Sequence, residues 1–172
     1  MREWAYGVDV STRRIAFGAY AEGTDGPLVR AWSVEVPDGL DPPARLAAIR
    51  RLVMDVCHDT QPMQRPTLVV VEDANTGPSA NKPLLAAVAV VVEGLYSALR
   101  CPVMEMPIGT WKRRSLGRGN AKKPEVWSHA VSLGANPQNQ DEADAVCVAQ
   151  AAHSLLEASC AWAVGHRPAP AE

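Results

Sequence analysis

No two cysteines in this 172-residue chain are spaced as C-x-x-C, and no histidine stands at metal-finger distance from one. Cys57, Cys101, Cys147 and Cys160 are scattered, so they read as buried or incidental thiols of a reducing compartment rather than a zinc or disulfide framework. An apolar signal core is also missing, because MREWAYGVDVS turns polar within a few residues. The longest apolar run, LLAAVAVVV at 84–92, falls far short of the roughly 20 residues that span a bilayer. Internal repeats are absent, and so are low-complexity blocks outside the terminal GHRPAPAE. These absences lead to the expectation of a cytoplasmic protein with no membrane span.

The composition is that of a packed globular domain. The chain is 47% hydrophobic with a formal net charge of -2, and its length suits one ordinary domain better than two. We expect that domain over 1–160 and a flexible tail over 161–172. The average charge conceals an asymmetry. KRRSLGRGNAKK, from Lys112 to Lys123, holds six basic residues and no acidic one; taking these from the total of 17 leaves 11 against 19 acidic groups. A strongly cationic segment on an otherwise acidic chain points to an anionic partner.

Periodicity gives the order of elements. WAYGVDV (4–10) alternates Trp4, Tyr6, Val8 and Val10 against Asp9, as a strand does; IAFGAYAE (15–22) and LVRAWSVEV (28–36) follow after connections too short for a parallel crossover. From Asp41 the period becomes 3.6, with Leu46, Ile49, Leu52, Val53 and Val56 on one stripe of a helix that starts near Pro42 or Pro43. TLVVVEDA (67–74) is a near-continuous β-branched run, expected of a strand buried on both faces. A helix over 83–99, a short strand over 101–106, and helices near 124–132 and over 139–158 complete the series. The sum is an α/β fold with a mixed five-stranded sheet, three antiparallel strands followed by parallel ones, and helices on both faces.

NQDEADAVCVAQAAHSLLEA (139–158) places three carboxylates, Asp141, Glu142 and Asp144, in the first turn of a mostly apolar helix. Acidic residues there complement the helix dipole, and Asn139 or Asp141 can serve as the N-cap. Asp141 and Asp144, however, share a face at i, i+3 with Cβ atoms roughly 5 to 6 Å apart, beside a core-facing stripe of Ala145, Val148, Ala149, Ala152, Leu155 and Leu156. Asp9 lies inside the first strand and Glu72 closes the fourth, positions where charge is depleted. If those strands are neighbours, all four carboxylates converge. Such a cluster repels itself unless cations sit within it. Two Mg²⁺ ions about 3.5 to 4 Å apart are the arrangement that hydrolyses phosphodiesters, and hard cations select oxygen ligands over His and Cys.

The spacing of GVDVS, VVVED and DEADA, with the order of elements from Gly7 to about Ala152, resembles the RNase H-like nucleases and, within them, the RuvC-type Holliday junction resolvases, including their phage-encoded branch. The most specific part is PIGTWKRRSLGRGNAKKPEV (107–126), which looks like the family's Val-Lys step, Gly-x-Gly turn and Ala-x-Lys before a helix. On that match Lys112 and Lys123 take the places of two basic active-site residues, and Asp9, Glu72, Asp141 and Asp144 those of the metal-binding carboxylates. Gly117 and Gly119 fall at the turn. The resemblance implies a homodimer in a bacterial or phage-infected cytoplasm that uses Mg²⁺ or Mn²⁺, two per site, to nick branched DNA symmetrically. Arg113, Arg114, Arg118 and Lys122 would accompany the two lysines on DNA.

Two positions depart from the family pattern. Val10 and Ser11 replace a Pro and a Gly after the first carboxylate, and Asn75 stands where bacterial resolvases carry an aromatic wedge against the junction. Trp111 and Trp127 flank the basic segment, as core residues or as stacking platforms for bases, and His129 and His153 read as helix-surface residues. The apolar helix over 83–99 is the candidate subunit contact or an internal core helix. Three rivals compete with a resolvase: a YqgF-type ribonuclease, whose Asp-x-Gly-x-x-Arg-Ile-Gly opening GVDVSTRRIAFGA also resembles; an actin-like ATPase, which needs a second domain; and a nucleic-acid-binding module without catalysis.

Overall fold

The computed structural model describes residues 3–59, 65–73 and 81–165, with 160–165 described by their backbone alone. Three strands come first, β1 (Ala5–Val10), β2 (Arg14–Ala21) and β3 (Leu28–Glu35). They are followed by α1 (Pro42–Asp59), β4 (Leu68–Glu72), α2 (Lys82–Leu99), β5 (Val103–Met106), α3 (Ile108–Leu116), α4 (Lys123–Ser132) and α5 (Gln140–Gly165). The sheet order is β3-β2-β1-β4-β5. β1 and β2 are antiparallel, as are β2 and β3, while β4 runs parallel to β1 and β5 to β4. The mixed sheet expected from the sequence is the sheet observed.

Alternation along β1 divides its residues between two cores. Tyr6, Val8 and Val10 face α1 and α2 with Ile15, Phe17, Val69 and Val71. Ala5 turns the other way, with Leu68 and Val70, toward α3, α4 and α5. By the same period of two, Gly7, Asp9 and Glu72 belong to the second face. β4 is buried on both, as Val69, Val70 and Val71 have no exposed surface.

α5 lies directly on that second face, with α3 and α4 against its outer side. Ala143, Ala145, Val146, Cys147, Val148, Ala149, Ala151 and Ala152 are all buried, so the helix is enclosed on more sides than one apolar stripe would give. Small side chains allow the approach. Gly7 pairs with Gly18 across β1 and β2; a Cβ on Gly7 would stand 2.2 Å from the Ala145 carbonyl oxygen, and one on Gly18 2.4 Å from the same atom. The two glycines form a notch in the sheet in which the helix backbone rests.

Four findings refine the expectations. The basic segment begins as helix α3, an element the periodicity does not mark: Pro107 precedes it in an extended conformation, Trp111 anchors it in the core, and Gly117, at φ 78, ends it with its N–H on the Arg113 carbonyl. His153 is buried rather than on the surface, edge-on to Tyr20 at 5.2 Å between ring centres. α5 continues to Gly165, into the segment expected as a tail from residue 161, and 166–172 lie outside the described residues. Among the described helices α2 has the length and apolarity to cross a membrane, yet Ala87, Val88, Val91, Leu95 and Leu99 are buried in the α1–α2 core. Cys57, Cys101 and Cys147 are buried thiols, as expected.

Because the atoms facing Gly7 and Gly18 are backbone and cannot rotate away, Gly7→Ala or Gly18→Ala should lower unfolding free energy by about 2 kcal/mol or more. Gly109→Ala, where a Cβ would meet nothing within 4 Å, should change it by less than about 0.5 kcal/mol. Urea titrations of the three variants measure the contrast.

Candidate active site

The first turn of α5 resolves the alternatives left open by its three carboxylates. Asn139 is the N-cap: its Oδ1 accepts the Glu142 N–H at 3.0 Å. Glu142 answers by accepting the Gln138 N–H at 2.8 Å, the Asn139 side-chain amide at 3.0 Å and the Ser33 hydroxyl at 2.6 Å. This reciprocal cap buries Glu142 and ties the helix start to β3. Glu142 is therefore structural, which leaves Asp141 and Asp144 on the other side of the turn.

Asp9 sits one step beyond the Val8–Val71 pair of β1 and β4, beside Glu72 at the end of β4. Burial pushes the Asp9 carboxyl well above its ordinary value, and the charges of Glu72, Asp144 and Asp141 push it further, against Lys123. Glu72 is raised to about 7, first by burial and then by Asp144; a hydrogen bond from Trp111 and the Lys112 charge oppose the rise. Asp144 is also raised, chiefly by burial, with Gln140, Lys112 and Lys123 lowering it. The four carboxylates thus share one electrostatic environment, and both lysines reach it.

Glu72, Asp144 and Asp141 each also have a partner of their own. Trp111 Nε1 donates to Glu72 Oε2 at 2.9 Å, and Gln140 Nε2 to Asp144 Oδ1 at 2.9 Å. Arg14 Nη1 lies 3.5 Å from Asp141 Oδ2. Lys112 Nζ donates to the Ala121 carbonyl at 3.0 Å and sits 5.4 Å from the Trp111 ring centre, so it spans the basic segment from α3 to the start of α4.

The rest of the basic segment divides by location. Arg113, Arg114 and Lys122 are exposed. Arg118 forms an ion pair with Glu125, whose carboxylate also accepts the Lys122 N–H at 2.6 Å and caps α4. Asn75 lies outside the described residues. Trp127 packs half-buried on the α5 side of the core, and His129 Nε2 meets Gln150 Oε1 at 2.8 Å. Sequence reasoning missed Trp111, Arg14 and Gln140 as partners of the carboxylates. For Trp111 a signal existed, since Pro107 followed by Ile108, Trp111 and Leu116 is the start and apolar face of a short helix. For Arg14 and Gln140 no local signal distinguishes them from surface polar residues.

No family model matches the chain, and no curated protein matches its sequence. Solved structures do match in shape. Thermus thermophilus RuvC superposes with a TM-score of 0.74 at 21% identity, over 91% of this chain and 96% of its own. The T. thermophilus RuvC structure in complex with Holliday junction substrate gives 0.73 at 21% identity, over 90% and 96%. The fold is that of RuvC.

Within this RuvC-like fold the donor set is suited to a hard divalent cation. All four groups are carboxylates, they sit at the edge of a packed core, and burial together with mutual repulsion raises the proton affinity of Asp9, Glu72 and Asp144. Among the described residues no three Asp, Glu, His or Cys side chains are drawn up as a ready-made cage. Glu72, Asp144 and Asp141 are instead turned to Trp111, Gln140 and Arg14.

Glu72 binds its proton more tightly in the folded chain than in the unfolded one. Its contribution to stability is therefore complete below pH 4.5 and is lost as pH rises through about 7. Glu72→Gln keeps an acceptor for Trp111 and removes that loss. In chelator-containing buffer the variant should be more stable than the parent at pH 8, by on the order of 1 to 3 kcal/mol, and show a flatter profile of Tm against pH. Parallel profiles would place Glu72 outside a repulsive buried cluster.

Proposed function

We infer that the protein is a divalent-cation-dependent endonuclease that cuts branched DNA, with the four-way junction as its substrate. What supports this reading is the electrostatic influence of Glu72, Asp141, Asp144 and Lys123 on Asp9, and of Lys112 on Glu72 and Asp144, on a fold shared with a RuvC that has been solved in complex with a Holliday junction.

Asp9, Glu72, Asp141 and Asp144 would hold Mg²⁺ or Mn²⁺, two ions in a complete site. When bound, such ions supply a nucleophile at neutral pH and neutralise charge on the leaving oxygen. The chain's own residues set the geometry for that chemistry. Asp9 and Glu72, fixed at the ends of adjacent strands, define one wall, and the first turn of α5 brings Asp141 and Asp144 to the opposite wall. Trp111 fixes the orientation of Glu72 through its indole N–H. Lys112 and Lys123 place positive charge where the scissile phosphate gains negative charge. Arg113, Arg114, Arg118 and Lys122 extend the cationic surface toward flanking phosphates, which give affinity and register without sequence information.

Cutting two opposed strands of one junction requires two sites, and the homodimer belongs to this reading. α2 offers a face for it. Tyr96 is 61% exposed, Ala89 is exposed, and Leu85 and Val92 are half-buried on the same side of the helix, an apolar stripe that the α1–α2 core covers only in part, through Val92.

Incubation of end-labelled four-way junction, Y-fork, linear duplex and RNA with Mg²⁺ or Mn²⁺ tests the function. Paired symmetric nicks in the junction are expected, abolished by EDTA. Asp9→Asn and Asp144→Asn should each slow cleavage by at least about 10³-fold while binding is kept or tightened, since each removes negative charge facing DNA. Cutting of RNA alone would favour the YqgF-type reading, and binding without cleavage a non-catalytic module. Lys112→Ala should weaken junction binding and lower the slope of log affinity against log salt by about 1; an unchanged slope would remove Lys112 from the DNA interface.

A further inference from the structure

Arg14 opens β2 directly opposite Glu35 of β3. Its Nε and Nη2 both donate to Glu35 Oε1, at 2.7 and 2.5 Å. The remaining terminal nitrogen, Nη1, lies 3.5 Å from Asp141 Oδ2. Arg14 shares the strand face of Ala16 and Gly18, the face on which α5 rests, so its side chain runs from the first residue of β2 to the start of that helix. Of the four site carboxylates, Asp141 is the one in an ion pair among the described residues. A single guanidinium is therefore shared between a carboxylate outside the site and a carboxylate inside it.

We propose that Arg14 is a positioning residue that acts through Asp141, competing with a divalent cation for that carboxylate. The inference rests on the metal-dependent reading above and assigns an order to it: cation loading is weaker on the Asp141 side of the site than on the side of Asp9 and Glu72. Guanidinium has no acceptor and keeps its charge at every working pH, so the competition is not relieved by deprotonation. Glu35 holds the guanidinium in reach when Asp141 turns inward, and it also draws off part of the positive charge. Glu35 therefore sets the strength of the competition. Arg14 and Asp141 side chains are 30% and 35% exposed, which places the effect on the scale of a half-exposed ion pair, a factor of about two to five in affinity.

The two partners predict opposite signs. Mn²⁺ binding to the whole chain without DNA, followed through the electron paramagnetic resonance of free Mn²⁺, separates them. Arg14→Met keeps the aliphatic stem and removes the charge, and should tighten the weaker Mn²⁺ step about two- to fivefold. Glu35→Gln leaves Arg14 free to turn wholly to Asp141, and should weaken the same step by a similar factor. A residue that merely supported the fold would loosen Asp141 when replaced, so weaker or unchanged Mn²⁺ binding in Arg14→Met overturns the proposal. Should Arg14→Met fail to fold, Glu35→Gln, whose side chain is 65% exposed, decides alone, and unchanged or tighter binding overturns it. Absence of Mn²⁺ binding to the parent chain overturns both this inference and the metal-dependent reading, whereas binding that neither variant alters overturns this inference only.

Discussion

The backbone of α5 rests on the sheet without intervening side chains, and the rest of the site depends on that approach. Gly7 and Gly18, side by side on β1 and β2, leave a notch that receives the Ala145 carbonyl. With any larger residue in the notch the helix would ride higher, and its first turn would pull away from the strand ends that carry Asp9 and Glu72. The cap formed by Asn139, Glu142 and Ser33 then fixes where the helix begins and how it is rotated. Close packing sets the height, and capping sets the phase. Together they bring Asp141 and Asp144 to the site.

The cost of this arrangement is electrostatic. Asp9 and Glu72 are held in desolvated positions; burial raises the proton affinity of both, Glu72 raises that of Asp9 further, and Asp144 adds to both. A fold selected for stability alone would place apolar or neutral side chains at the ends of β1 and β4. The surrounding residues offset part of the repulsion one contact at a time, through the indole N–H of Trp111, the amide of Gln140, the guanidinium of Arg14, and the charges of Lys112 and Lys123. The result is a cluster of carboxylates whose mutual repulsion is only partly offset by its neighbours.

Much of the architecture was legible before the structure. Alternation in WAYGVDV and the β-branched run in TLVVVEDA mark strands because side chains on a pleated sheet must choose a face. The short connections after β1 and β2 impose antiparallel pairing on geometric grounds alone. α3 was harder to see, because its charge density suggests a solvated loop, and one buried tryptophan outweighs the exposed arginines that follow it. His153 looked like a surface residue for a related reason. The apolar positions around it belong to a helix buried on several sides, and a single amphipathic stripe is the wrong template for such a helix.

The sequence by itself determined the elements, their order, the presence of four acidic positions at strand ends and a helix start, and a concentrated run of positive charge. These follow from local rules of backbone geometry, periodicity and charge counting, which act within a few residues. Only the tertiary structure decided which of the three carboxylates in the first turn of α5 is a cap and which two face the strands, and that Trp111, Gln140 and Arg14 are the partners of Glu72, Asp144 and Asp141. It alone paired Arg14 with Glu35 and set both beside Asp141. Those contacts join residues that are close in space because five strands and a helix stack in one particular register, and that register is a property of the packed whole that no local segment encodes.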